Sequence, residues 1–342
     1  MNHASSRRAT VTRAGALATA ALAGIALATP ASAAPTPDDR FAGRAAAGWL
    51  ARQFVDGTHL QTDFGGTSYD DPGLTLDAIL AFAAAKTNGA RSRAAIEWLS
   101  EPATLGGYIG SGSESYAGAH AKLALTLQVT GQDARAFGGR DVIAELVALQ
   151  GRSGRISDAS QWGDYSNSFG QSFGAIALKR AGLTARANSA SAFLANQACA
   201  NGSVPIAFDT TPCVGDPDAT ALAIQAFAAT DNTGAARKAG SWLSAYVKAA
   251  EQTNANTAGL AAAALDRVRM PAAARLARGT VLANQQGCAT PFSRRAAIAY
   301  AVPYDAAAAP RATTQAILGL AGANLTTLTS RGSIDFAPTL SC

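Results

Sequence analysis

The stretch Asp71-Pro72-Gly73-Leu74-Thr75-Leu76-Asp77-Ala78-Ile79-Leu80-Ala81-Phe82 has a second copy at Asp216-Pro217-Asp218-Ala219-Thr220-Ala221-Leu222-Ala223-Ile224-Gln225-Ala226-Phe227. Both read Asp-Pro-x-x-Thr, with an aromatic residue seven positions beyond the threonine. A proline behind a small polar residue, followed by an apolar run, is a helix-start signal, so each copy opens an alanine-rich helix. Pro310-Arg311-Ala312-Thr313 leads to Leu320 at the same offset, and weaker copies put His120, Gln171 and Thr257 at the threonine position. The successive intervals are 45, 51, 49, 37 and 56 residues, which gives six units. Repeats of this length are supersecondary units that bury their apolar faces only by stacking on one another.

Working outward from those starts, the helices they open are apolar almost all round, as in 76–85, 122–129, 175–178 and 222–229, which implies burial on every side. More amphipathic segments precede them, at 44–54, 93–99, 142–149, 190–196, 238–246 and 274–284. Trp49-Leu50, Trp98-Leu99 and Trp242-Leu243 recur near their middles, with Phe193-Leu194 in the fourth, and serve as packing anchors with one face toward water. Six outer and six inner helices in alternation favour a closed double ring over an open solenoid, because closure removes two exposed end units. The expected fold is therefore all-α, an α6/α6 toroid over residues 41–325. The glycine run Gly106-Gly107-Tyr108-Ile109-Gly110-Ser111-Gly112 lacks a preceding strand and the phosphate-loop lysine, and is expected to be a flexible connection.

Residues 1–33 contain Arg7, Arg8 and Arg13, an uncharged run from Ala14 to Ala28 and an Ala31-Ser32-Ala33 exit, the three parts of a secretory signal peptide. Ser6-Arg7-Arg8 also resembles the start of a twin-arginine signal, so Sec or twin-arginine export to a secreted, extracellular location is expected. Residues 34–40 form a short linker in this reading and 326–342 a tail. The formal charge is +5, but the leader holds three of the 28 bases and no acid, which leaves 25 bases against 23 acids. A nucleic-acid partner is not indicated. No later stretch is long enough to act as a transmembrane anchor. Export permits disulfides, and four cysteines allow three pairings. Cys199 and Cys213 flank one loop, so the expected bridges are Cys199–Cys213 and Cys288–Cys342, the second tying down the C-terminal tail. No Cys-x-x-Cys or His-Glu-x-x-His pattern occurs, so neither a metal nor another cofactor is expected. The chain is expected to act as a monomer.

Six outer–inner pairs resemble the α/α-toroid superfamily of squalene and terpene cyclases and prenyltransferases. That family's Gln-x(n)-Gly-x-Trp repeat is echoed at Gln53…Gly57-Thr58-His59, Gln150…Gly154-Arg155-Ile156 and Gln197…Gly202-Ser203-Val204, with the tryptophan replaced each time. Asp216-Pro217-Asp218-Ala219-Thr220-Ala221 resembles the Asp-x-Asp-Asp-Thr-Ala motif of class II terpene cyclases, in which the middle acid protonates an alkene or epoxide. The resemblance makes Asp218 that catalytic acid and Asp216 its neighbour, although Ala219 replaces the fourth carboxylate.

In such a ring the inner helices run the same way, so their N-termini converge on one electropositive face around a central pit. The repeat delivers Tyr69, Asp71, Tyr116, Trp162, Asp164, Tyr165, Tyr304 and Asp305 to that rim as candidate ligand-binding residues, with Asp70, Glu114, Asn254 and Asn256 beside them. His120 joins them as a general base if it lines the pit, and as a hydrogen-bonded core histidine if it does not. For each aspartate the competing role is a helix cap. The expected function is binding of a small apolar ligand, isoprenoid or lipid-like, with a corrinoid as a variant because a related toroid occurs in cobalamin carriers. The alternatives are a terpene cyclase-like enzyme acting through Asp218, a glycan-active toroid using two rim carboxylates, and a scaffold for a protein partner.

Overall fold

The computed structural model describes residues 34–249, 254–340 and 342; the expected signal peptide lies outside them. The elements run α1 Pro37–Ala51, β1 Gln61–Phe64, β2 Thr67–Asp70, α2 Pro72–Ala85, α3 Gly89–Ser100, α4 Pro102–Ile109, α5 Ala117–Thr130, α6 Val142–Ala148 and α7 Ser168–Arg180. They continue with α8 Thr184–Asn196, α9 Pro217–Ala229, α10 Thr233–Ala249, α11 Ala255–Arg267, α12 Pro271–Ala283 and α13 Ala309–Ala321. The inner helices α2, α5, α7, α9, α11 and α13 each pack on the next, and α13 packs back on α2, so the ring is closed. The outer helices are α1, α3, α6, α8, α10 and α12. The fold is the all-α toroid.

The threonine of the repeat has a structural task. Thr75 Oγ1 donates to the N-cap carbonyl of Asp71 (2.8 Å) and accepts the Leu60 amide (2.9 Å) from the preceding loop. Thr220 does the same with Asp216 and Val204 at 2.6 and 2.9 Å, and Thr313 accepts the Ile298 amide at 3.0 Å. Gln171 replaces threonine in its unit and accepts the Ile156 amide through Oε1 at 2.9 Å. Each straps a loop to the first turn of its inner helix, satisfying an N–H that burial would otherwise orphan. The glycines of the degenerate Gln…Gly repeat are equally constrained. Gly154 and Gly202 have φ of 93° and 94°, and a Cβ there would lie 2.1 Å from Ser189 O and 2.8 Å from Lys238 O, the backbone of the next outer helix.

Alanine and glycine let the inner helices approach one another closely. A Cβ on Gly259 of α11 would sit 2.4 Å from Ala316 Cα of α13, and one on Gly170 of α7 would sit 2.8 Å from Gly118 Cα of α5. Trp49, fully packed in α1, donates its indole N–H to Ser293 O at 2.8 Å, so this anchor also pins a loop.

Two local expectations need correction, and one element was not anticipated. The glycine run is helical through Ile109, because Pro102 starts α4 and Leu105 and Ile109 bury themselves in the core. The segment 61–70 is an antiparallel hairpin turning at Gly65-Gly66, both at positive φ. Helix α1 begins inside the expected linker, where Thr36 and Asp39 form a reciprocal capping box.

After α13 the chain crosses the C-terminal end of the inner ring. Gln225 Nε2 donates to Ala323 O, and Arg180 Nη1 to Leu325 O and Thr326 O, at 2.8–3.0 Å. It then follows the base past α5, α2 and α3, where Ser330 N bonds Val129 O and Gly89 N bonds Ile334 O. Both expected disulfides are present, Cys199–Cys213 and Cys288–Cys342. Among the described residues no helix is long and apolar enough to cross a membrane.

Candidate functional site

The N-termini of the inner helices surround a pit of about 430 Å³, and one to four residues from the N-cap and first two turns of each helix line it. The lining runs in i, i+4 pairs: Gly118 and Lys122, Asp218 and Leu222, Asn256 and Leu260, Arg311 and Gln315. Asn167, Phe169, Gly170 and Phe173 come from α7, Asp77 from α2 and Tyr108 from α4. A belt of charged and amide groups thus rings the upper wall. Below it Leu80, Leu222, Leu260 and Leu318 form an apolar floor, and Leu325 from the crossing segment closes it. The pit is blind.

Two carboxylates sit in this belt on α2 and α9, which are third neighbours in a ring of six and therefore face one another. They differ in environment. Asp77 Oδ1 is ion-paired with Lys122 Nζ at 2.9 Å, and both side chains are largely buried. Lys122 is held by a second bond to Gly73 O (3.3 Å) and lies 5.7 Å from the centre of the Phe173 ring. Among the described residues Asp218 has no cationic partner. Asn256 Nδ2 donates to its Oδ2 at 2.8 Å, while Oδ1 is out of solvent contact and has no hydrogen-bond partner. Burial pushes the Asp218 carboxyl up to about 6, against hydrogen bonds from Thr257 and Asn256 that favour the ionised form, and the nearby Asp216 adds to the rise. The Tyr108 hydroxyl is raised by burial and by the neighbouring Asp77 and Asp71, so it stays protonated as a donor. One wall therefore carries a carboxyl that keeps its proton into the mildly acidic range, and the opposite wall carries an ion-paired carboxylate.

Of the residues expected at the rim, the structure brings only Asp218 and Asn256 into the pit lining. Asp216 caps α9 by accepting the Ala219 amide at 2.8 Å, and Asp71 caps α2 through Leu74 N at 2.7 Å. Asp71 also reaches toward the lining residue Arg311 at 3.4 Å and accepts from the Thr62 hydroxyl at 2.7 Å, which places it on the rim.

His120 is not in the pit. It is fully buried, with Nδ1 2.9 Å from Tyr116 O, the N-cap carbonyl that the threonine hydroxyl contacts in other units. Its Nε2 lies 2.8 Å from Glu145, which Arg140 also holds at 2.6 Å. Burial raises the Glu145 carboxyl, but these hydrogen bonds and charges outweigh it and leave the group below its usual range. Tyr116 is the α5 N-cap residue, and its own N–H donates to Ile109 O. Tyr304 lies under Arg294, 4.8 Å from guanidinium carbon to ring centre, and Asp305 accepts the Ala307 amide in the loop before α13. Tyr69, Trp162, Asp164 and Tyr165 stand outside the pit on the outer-to-inner loops, with Asp164 bonded to Arg155 at 2.8 Å. Sequence reasoning missed Asp77, Lys122, Tyr108, Arg311 and Gln315. The available signal was Asp77 and Lys122, charged residues inside helices otherwise apolar all round. Among the described residues no group of three potential metal ligands lies together.

A closed helical double ring with a blind, charge-belted pit defines an α/α-toroid protein, and comparison with solved structures agrees. The chain is similar to an unsaturated glucuronyl hydrolase specific for heparin, at 12% identity and a TM-score of 0.60, covering 85% of this chain and 100% of that one. It is similar to an inactive variant of an α-1,6-mannanase of a Salegentibacter species in complex with α-1,6-mannotriose, at 10% identity and a TM-score of 0.62, covering 84% and 100%. It is also similar to a protein from Actinoplanes, at 15% identity and a TM-score of 0.56, covering 83% and 99%. These identities establish a shared fold and nothing finer. No protein-family model and no curated protein matches the sequence. The toroid fold is thereby supported, whereas the terpene cyclase-like assignment is not.

Proposed function

We propose that the protein is an exported, glycan-active toroid, a glycoside hydrolase whose pit receives one end of a sugar chain. Asp218 donates a proton to the glycosidic oxygen as the C–O bond breaks. Water attacks the anomeric carbon, and Asp77 accepts the proton that water gives up. Two carboxyl groups flanking the scissile bond, one protonated and one ionised, are the minimum set for this reaction. The observation that carries the reading is the contrast between them: Asp218 Oδ1 is buried and partnerless, while Asp77 on the facing helix is fixed by Lys122. Tyr108, Asn167, Asn256, Arg311 and Gln315 supply the hydrogen-bonding groups that sugar hydroxyls require. Two of the structures sharing the fold are glycosidases by description, which agrees with this reading. Protonating an alkene would instead require an apolar chamber around the acid, and Asp218 belongs to a belt of charges and amides. Disulfides and the absence of a membrane-spanning helix among the described residues are compatible with an extracellular protein.

The test is product release from α-1,6-mannooligosaccharides and from unsaturated uronyl disaccharides, followed by mass spectrometry. Asp218→Asn and Asp77→Asn should each lower turnover by roughly 10²–10⁴-fold, the usual worth of one acid–base group. Undiminished turnover in Asp218→Asn would remove it as the acid.

A second reading, a carrier that binds an apolar ligand without turning it over, is favoured by the leucine floor. Native mass spectrometry of protein from its own host distinguishes it by a co-purifying lipid.

A further inference from the structure

Resting on the reading that the pit takes the end of a sugar chain, we infer that the loop 157–166 is a rigid platform on which the continuing chain stacks. The contacts are the faces of Trp162 and Tyr165, and the units they bind are neutral hexoses. Trp162 is 69% exposed and Tyr165 75% exposed, the fate expected of neither side chain in a loop that contributes only to stability. Trp162 is the strongly exposed member of the four tryptophans; Trp49 is packed in the core, and Trp98 and Trp242 lie against it.

The loop beneath them is firmly fixed. Asp158 accepts the amides of Ala117 and Tyr165 at 2.7 and 3.0 Å, and Asp164 accepts those of Asp158 and Ser166 at 3.0 Å each. Ala159 and Ser115 exchange two backbone bonds, at 2.8 and 2.9 Å, and Gln161 N donates to Glu114. Two aromatic faces held in water on an ordered backbone lose little conformational freedom when a ligand lies on them.

Position and chemistry select the occupant. Ser166 leads directly into Asn167 and Phe169, which line the pit, and the Ala117 amide held by Asp158 adjoins the lining residue Gly118. The platform is therefore continuous with the pit wall. A cavity of about 430 Å³ is at the small end of ligand sites, which run ~300–1,000 Å³, and its floor is closed. A chain longer than a few units has to leave across the rim. Ser157 through Ser166 contains no basic residue and no aliphatic side chain larger than alanine. That composition suits neither an anionic lipid surface nor the apolar centre of a protein interface. Aromatic faces among serine, glutamine and aspartate do suit the C–H faces and hydroxyls of hexose rings.

The experiment is native affinity electrophoresis of the full chain in gels containing α-mannan, dextran or heparin, with vesicle flotation on phosphatidylcholine–phosphatidylglycerol mixtures alongside. Wild type should be retarded by at least one of the two neutral polymers and not float. Trp162→Ala and Tyr165→Ala should each weaken retardation by about tenfold, the scale of losing one aromatic anchor at a binding site. Trp162→Phe should restore most of it, and circular dichroism of each variant should match wild type. Asp218→Asn should remain retarded, because the platform lies outside the pit. Wild-type mobility unchanged by both neutral polymers, equal retardation of Trp162→Ala, or Trp162-dependent flotation would each overturn the platform. Failure of the pit reading is separate: it shows as undiminished cleavage by Asp218→Asn, whatever the gels show.

Discussion

Replacing Asp218 by asparagine should stabilise the protein while disabling it. In the unfolded chain this carboxyl titrates near 3.8; in the folded chain burial holds it protonated up to about 6. Between those values the native state binds more protons than the unfolded state, so the contribution of Asp218 to stability falls as pH rises through this window and is flat on either side. The full displacement corresponds to about 3 kcal/mol, or roughly 2–3 kcal/mol after allowance for screening at the open side of the pit. Asparagine imitates the protonated form: its oxygen can accept from Asn256 Nδ2 while its amide takes the place of Oδ1, and it carries no charge at any pH. Urea unfolding of wild type and Asp218→Asn at pH 4, 5, 6 and 7 measures the difference directly. The curves should nearly coincide at pH 4 and separate by roughly 2–3 kcal/mol in favour of the variant at pH 7. The same proton governs the proposed chemistry, so wild-type turnover should decline as pH rises through about 6. A stability difference independent of pH, or one favouring wild type at pH 7, would refute the assignment of Asp218 as a strained, poised acid.

Two further outcomes test the ring itself. Gly259→Ala should destabilise by at least roughly 1–3 kcal/mol, because the new Cβ would lie 2.4 Å from the Ala316 Cα and the Gln315 carbonyl, backbone that cannot move without opening the α11–α13 contact; denaturant midpoints against an exposed control such as Gly279→Ala measure it. Removing Cys288–Cys342, which closes a separation of 54 residues, should cost about 4 kcal/mol by loop entropy, against about 3 kcal/mol for Cys199–Cys213 with a separation of 14. Hydrogen exchange in the first variant should rise along 329–342 and leave the pit-lining helices protected, and protection lost throughout the ring would show that the tail does more than cover its base.

The architecture was legible because its signals are local and periodic. Thr75, Thr220 and Thr313 recur at a fixed place because each fastens an incoming loop to a first helical turn, and Gly154 and Gly202 recur because a positive φ meets the next outer helix there. The cysteine pairing followed from loop placement alone. The site was legible only in part, because the conspicuous acids Asp71 and Asp216 are consumed by the caps that start the helices. A capping residue points its carboxylate back along its own helix end, whereas a residue one or two turns further in is aimed by the phase of that helix. Asp77, Lys122 and Gln315 occupy such positions, and their convergence depends on how six helices are rotated about their axes. No single-helix pattern contains that rotation when the helix is apolar on every face. A charge standing within an all-round apolar helix is still informative, since Asp77 and Lys122 are tolerable there only if they meet each other or water. In this ring they do both, across the α2–α5 contact at the edge of the pit. The intrusive charge inside the buried helix therefore locates a toroid's chemistry better than the recurring acid at its start.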